Sequence, residues 1–203
     1  MGFNVHNKSR KGISSLILLG IISFSIYIYI SPYLSILAFK RALENKNPTE
    51  ASEYIDFPSV RKNLKAQLIN KLSEEINKEI QFTPFGELTM VMVNPIINKV
   101  VSSTIDSTVS PNGLKVLLTQ GKLSMDKNLA KNDKGYAKEH DSRKKYAENR
   151  IKLYYESLNV FILASQLQNS DEIIKASWRR QGISNWKINI IELPNQIIKG
   201  IRF

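Results

Sequence analysis

The chain has 203 residues, no cysteine, two histidines, a formal net charge of +11 and a pI of about 9.7. Disulfides, thiolate metal sites and cysteine nucleophiles are excluded. His6 and His140, one in the N-terminal tail and one in a highly polar stretch, are not placed to build a metal site together. Such a surplus of cations would favour anionic lipid, nucleic acid or an acidic partner, but its ordinary form is a solvated basic surface.

Lys8, Arg10 and Lys11 sit near the start, and no charged residue follows from position 12 to position 39. A helix through hydrocarbon needs about 20 mostly apolar residues, which residues 13–30 and their flanks supply. Tyr27, Tyr29 and Tyr33 suit one lipid–water interface. A cleaved signal peptide shares the basic start, but its apolar core is shorter and ends in a small-residue cleavage site. Here Ser31, Pro32 and Tyr33 follow instead. The expectation is a basic tail at 1–11 and an uncleaved transmembrane anchor at 12–33, with a cleaved leader or a buried helix as alternatives. The cations ahead of the anchor favour a cytoplasmic N-terminus and an outward-facing domain, against competition from Lys40, Arg41 and Lys46.

Residues 34–120 read as helical. The first helix should continue past Pro32 with Leu34, Leu37, Ala38 and Ala42 on one face. Asn47-Pro48-Thr49-Glu50 is a helix start, with Asn47 as cap, Pro48 in the first turn and Glu50 as the capping-box acid. Another helix starts at Asp56-Phe57-Pro58, and Val60, Leu64, Leu68, Leu72, Ile76 and Ile80 recur every four residues along it. Thr83-Pro84-Phe85-Gly86 breaks the pattern. The apolar stretch 88–101 is expected to be a buried core helix, with membrane contact as the alternative, and Asn94-Pro95 should kink or divide it. Ser110-Pro111 opens a further short helix.

Residues 121–150 are polar and basic, and are expected to form a flexible loop. Residues 151–194 read as four strands. Residues 151–155 alternate, 160–164 form a buried strand, and 171–180 place Ile174, Ala176 and Trp178 on one face. After a turn at Gln181-Gly182-Ile183-Ser184-Asn185, Trp186, Ile188 and Ile190 should share the next core face. A tail occupies 195–203. The fold class is therefore α+β: a transmembrane helix, several helices, then an antiparallel sheet of about four strands.

Several blocks occur together in order: Ser31-Pro32-Tyr33-Leu34, then Tyr54-Ile55-Asp56-Phe57-Pro58-Ser59-Val60-Arg61, then Ser110-Pro111-Asn112-Gly113-Leu114, and the ending Arg180-Gln181-Gly182-Ile183-Ser184-Asn185-Trp186-Lys187-Ile188 with Leu193-Pro194. In these the chain resembles an uncharacterised bacterial family of short membrane-anchored proteins, domain of unknown function 2939. The likeness runs from Ser31 to Pro194, departing at 121–150 and at Ser177-Trp178, where phenylalanine is expected. It implies the architecture and no activity, cofactor or catalytic residue.

The candidate ligand or partner contacts are Asp56, Arg61, Trp178 and Trp186. Each has a structural role to weigh against that: Asp56 as a helix cap, Arg61 as its neighbour or the anchor of another carboxylate, and the tryptophans as core. No phosphate loop, nucleophile elbow or zinc-binding helix signature is present, so no catalytic, cofactor or metal residue is assigned. The expected function is a non-catalytic binding or scaffold module on the outer side of the cytoplasmic membrane. Its anchor contacts lipid, and a protein partner or an apolar ligand is the expected occupant of the domain. A pocket lined by Phe161, Trp178 and Trp186 would mark the ligand, and a solid core there would weaken it. The alternatives are an electrostatic binder of anionic lipid or nucleic acid through 121–150, and a membrane-bound enzyme using Asp56 and a second carboxylate. Nucleic acid is not the expected partner, and the oligomeric state is open.

Overall fold

The computed structural model describes residues 7–80, 85–120, 151–166 and 172–195, with side chains described from residue 15 onward. The tail at 1–6, the Thr83-Pro84 part of the breaker, the basic stretch 121–150 with His140, Asp171 and the end of the tail at 196–203 lie outside the described residues. Among the described residues the order is five helices followed by four strands: α1 (Asn7–Glu44), α2 (Pro48–Glu53), α3 (Phe57–Ile80), α4 (Gly86–Thr108), α5 (Pro111–Gln120), β1 (Ile151–Ser157), β2 (Val160–Gln166), β3 (Ile173–Gln181) and β4 (Asn185–Glu192). The strands form one antiparallel meander in the order β1-β2-β3-β4.

The helix starts follow from local chemistry. Asn47 Oδ1 accepts the Glu50 N–H and Asn47 Nδ2 donates to the Glu50 carboxylate, both at 3.2 Å, closing an Asn-based capping box. Ser110 Oγ accepts the Gly113 N–H at 3.0 Å at the start of α5. Gly113 is required there, because a Cβ would collide with the Thr108 carbonyl oxygen. Helix α1 stops at Glu44 and is closed by Lys46 just beyond it, whose φ of 51° is left-handed. The Asn47 N–H reaches the Ala42 carbonyl and the Lys46 N–H reaches the Leu43 carbonyl, a Schellman ending without glycine.

The core lies between one face of the sheet and helices α3 and α4, with the second half of α1 packed beside it. Val60, Leu64 and Leu68 of α3, Ile97, Val101 and Ile105 of α4, and Phe161, Trp178, Trp186 and Ile188 of the sheet form one buried cluster. Arg61 and Lys65 of α3 hold Asp106 of α4.

Three sequence expectations change. Helix α4 runs unbroken through Pro95, and it is not buried all round: Leu88, Val91, Met92, Ile96 and Val100 are exposed while Ile97, Val101 and Ile105 face the core. In α1 the inward residues are Ile36, Phe39 and Ala42, whereas Leu34 and Leu37 are exposed. In β4 the core face does not run through Ile190. Trp178 pairs with Ile188 but Ser177 pairs with Ile190, so Asn189 is the extra residue of a bulge. A bulge shifts the alternation by one, and Ile191 and Leu193 pack on the core beyond it.

Candidate functional site

The feature that sets this domain apart is the seam where α1 meets the sheet. Over residues 15–30 nearly every described side chain of α1 is exposed, and most are apolar. At Ser31 and Pro32 burial begins abruptly. Pro32 has no N–H, so the Ile28 carbonyl loses its usual helical donor. The Ser31 hydroxyl supplies it, donating to Ile28 O at 2.7 Å. The same oxygen accepts the Trp186 indole N–H at 2.8 Å. Tyr155 of β1 adds a second tie, donating its hydroxyl to the Tyr29 carbonyl at 2.8 Å.

Aromatic rings fill the seam. Tyr29 stacks on Tyr155 at 5.3 Å, Tyr33 meets Phe161 edge-on at 4.8 Å, and Phe39 meets Trp178 edge-on at 5.5 Å. Such contacts add about 0.5–1.5 kcal/mol each beyond the area they bury. Burial pushes the Tyr155 hydroxyl above its ordinary pKa, with a smaller opposing pull from Arg180. Tyr54 is raised in the same direction, first by burial and then by Glu50 and Glu53.

Two clefts flank α1 at this seam. One, of about 740 Å³, lies between Ser25, Ile28, Tyr29 and Tyr33 of the helix and Leu153–Leu158 on the sheet side. The other, of about 530 Å³, lies between Tyr27, Ser31 and Leu34 on one side and Tyr54 and Ser184–Lys187 on the other.

The four residues singled out from sequence do not converge. Asp56 caps α3: its carboxylate accepts the Ser59 hydroxyl at 2.7 Å and the Ser59 N–H at 3.3 Å. Its backbone N–H and that of Ile188 stitch Tyr54–Asp56 to the edge of β4. Arg61 faces away from that cap, donating to the Val109 carbonyl at 3.1 Å and lying 3.6 Å from Asp106. Trp178 and Phe161 are wholly inside the core and line neither cleft, so the three aromatics expected around a ligand are part of the packed core instead. Trp186 alone of them reaches a cleft wall. Sequence reasoning missed Tyr155, Arg180, Leu158 and Ile183; the exposed apolar residue at the tip of each hairpin was the signal available.

Residues 21–117 match the model of a family described as "Protein of unknown function (DUF2939)". Over that stretch the chain is similar to the DUF2939 family. The match takes in Ser31, Asp56, Arg61 and Ser110 but stops short of the sheet, so the Trp186-Lys187 ending lies outside the matched DUF2939 stretch. No curated protein and no solved structure matches the chain. Among the described residues two helices, α1 and α4, are long and apolar enough to cross a membrane, and the position of α1 near the N-terminus suggests a membrane anchor or a signal sequence.

Proposed function

We propose that this chain is a single-pass membrane protein whose domain is a non-catalytic binding or scaffold module, held on the outer side of the cytoplasmic membrane. The supporting observation is that α1 is one continuous helix doing two jobs. Its first half exposes Leu16–Leu19, Ile21, Ile22, Phe24 and Ile26, and its second half is a wall of the folded domain. A leader removed by cleavage has no reason to be continuous with buried residues such as Ser31, Pro32 and Ala42. Lys8, Arg10 and Lys11 ahead of the apolar run favour the cytoplasm for the N-terminus.

The non-catalytic reading rests on what the candidate acid does. Both oxygens of Asp56 engage Ser59, and Asp106 is neutralised by Arg61 and Lys65. The test uses the tagged full-length protein in its native membrane. Resistance to carbonate extraction, an intact N-terminus and activity of an outside-sensing reporter at the C-terminus are expected. A mature chain beginning after Tyr33 would overturn the anchor. Crosslinking that retrieves one reproducible protein or lipid partner is the result expected of a binding module.

A further inference from the structure

We infer that the domain sits down into the bilayer surface, with the tips of the β1–β2 and β3–β4 hairpins immersed among the lipid headgroups on either side of α1. This rests on the anchor reading above and names the lipid as the domain's own partner. In an antiparallel meander the β1–β2 and β3–β4 turns lie at the same end of the sheet. Each carries a large apolar residue turned to solvent: Leu158 is 84% exposed and Ile183 is 63% exposed. Leu158 shares a cleft wall with Ser25, and Ser184, beside Ile183, shares one with Tyr27. The two tips therefore straddle the exposed, apolar half of α1.

Length makes the contact necessary. Lys11 is the last charge before the apolar run, and Ser25 already faces the domain. From position 12 to position 25 a helix rises about 20 Å, whereas the hydrocarbon core is about 30 Å thick. The bilayer must reach about 10 Å further along the helix, past Tyr29, and so around the tips.

The surroundings fit a headgroup environment. Arg179 and Lys187 stand directly opposite each other on β3 and β4, and neither is in an ion pair among the described residues. Like charges so placed repel unless an anion lies between them. An anionic phosphate beside the tip would supply one. Tyr27 and Tyr29 are exposed on the same stretch of α1, as aromatic rings at an interface are, and the exposed Tyr154 lines the cleft that Leu158 lines. Arg180 and Glu156 line the wider cleft with Leu158, which sets the depth at the headgroups and not in the hydrocarbon. The tip conformation is prepared: Arg180 Nη1 donates to the Ile183 carbonyl at 2.8 Å, and its guanidinium lies 4.5 Å over the Trp186 ring.

The absence of cysteine allows a direct test. The full-length protein is reconstituted in phosphatidylcholine–phosphatidylglycerol vesicles with a single environment-sensitive dye at Leu158→Cys, Ile183→Cys, Ile17→Cys or Ile173→Cys. Ile17 lies in the anchor, and Ile173 is an exposed residue at the opposite end of the sheet. Shallow spin-labelled lipid should quench the dye at 158 and 183 and leave 173 unquenched, while deep spin-labelled lipid quenches 17. Dyes at 158 and 183 that behave like 173 while 17 is quenched would overturn the immersed tips and leave the anchor standing. An unquenched 17 would overturn the anchor, and the immersed tips with it.

Discussion

The indole N–H of Trp186 is held at 2.8 Å by the hydroxyl oxygen of Ser31, a residue 155 positions earlier in the chain and only 2% exposed. The serine can accept from the tryptophan while donating to Ile28 O because Pro32 left that carbonyl without its helical partner. One hydroxyl thus repairs the helix and fastens it to the sheet. Replacing Ser31 by alanine strands a buried donor and a half-buried acceptor together. Each such orphan costs about 1–3 kcal/mol, so Ser31→Ala should lower stability by about 2–4 kcal/mol in denaturant unfolding of the detergent-solubilised protein. Adding Pro32→Ala restores an N–H for Ile28, and a double-mutant cycle should then show part of the Ser31→Ala loss removed.

The two core tryptophans should respond differently to phenylalanine. The Trp178 indole N–H is buried with no partner among the described residues, whereas that of Trp186 is bonded to Ser31. Trp178→Phe removes an unsatisfied donor along with some packing; Trp186→Phe removes packing and a buried hydrogen bond. Trp186→Phe should therefore cost more, by about 1–2 kcal/mol. Equal losses in chemical denaturation would contradict this account of the pair.

Where the sequence could be read, the reason was local. Asn47 with Glu50, and Ser110 with Pro111, are short-range devices, and both act as their residue types require. Continuation of α1 past Pro32 was equally visible, in the helical spacing of the residues after it. The inward face of that helix was hidden, because Leu34 and Phe39 are equally apolar and only the position of the sheet selects between them. The bulge at Asn189 was hidden for a similar reason: Ile188, Ile190 and Ile191 offer apolar residues to both registers. Helix α4 is apolar on more than one face, which reads as burial, yet Met92 and Ile96 are exposed. Arg61 with Asp106, and Ser31 with Trp186, are long-range pairings that no spacing announces.

Lys46 offers a simple gain in stability. It occupies a left-handed backbone position, φ 51°, in which an L side chain costs about 1–2 kcal/mol. Lys46→Gly removes that strain but frees the unfolded chain, leaving a net increase of about 0.5–1 kcal/mol. A rise in thermal midpoint is expected. Asn47→Ala, which breaks the adjoining capping box, should lower it by about 1 kcal/mol equivalent.

The Tyr155 hydroxyl makes the helix–sheet seam sensitive to alkali. Burial raises its pKa above the ordinary 10.0, so the unfolded chain ionises first. Well below pH 10.0 both states keep the proton and the contribution of Tyr155 is intact. As pH climbs from there through the higher folded value, the unfolded state gains by losing its proton and stability falls. Once the folded phenol ionises, it can no longer donate to the Tyr29 carbonyl. Tyr155→Phe should be less stable than the parent by about 1 kcal/mol at neutral pH, because the hydrogen bond is gone. It should also lose less on going to alkali. The parent's steeper decline is read from urea midpoints between about pH 8 and about pH 11. Tyr54, raised by burial and by Glu50 and Glu53, remains in the variant and keeps some alkaline slope. Parallel curves for the two proteins would show that Tyr155 does not set the sensitivity.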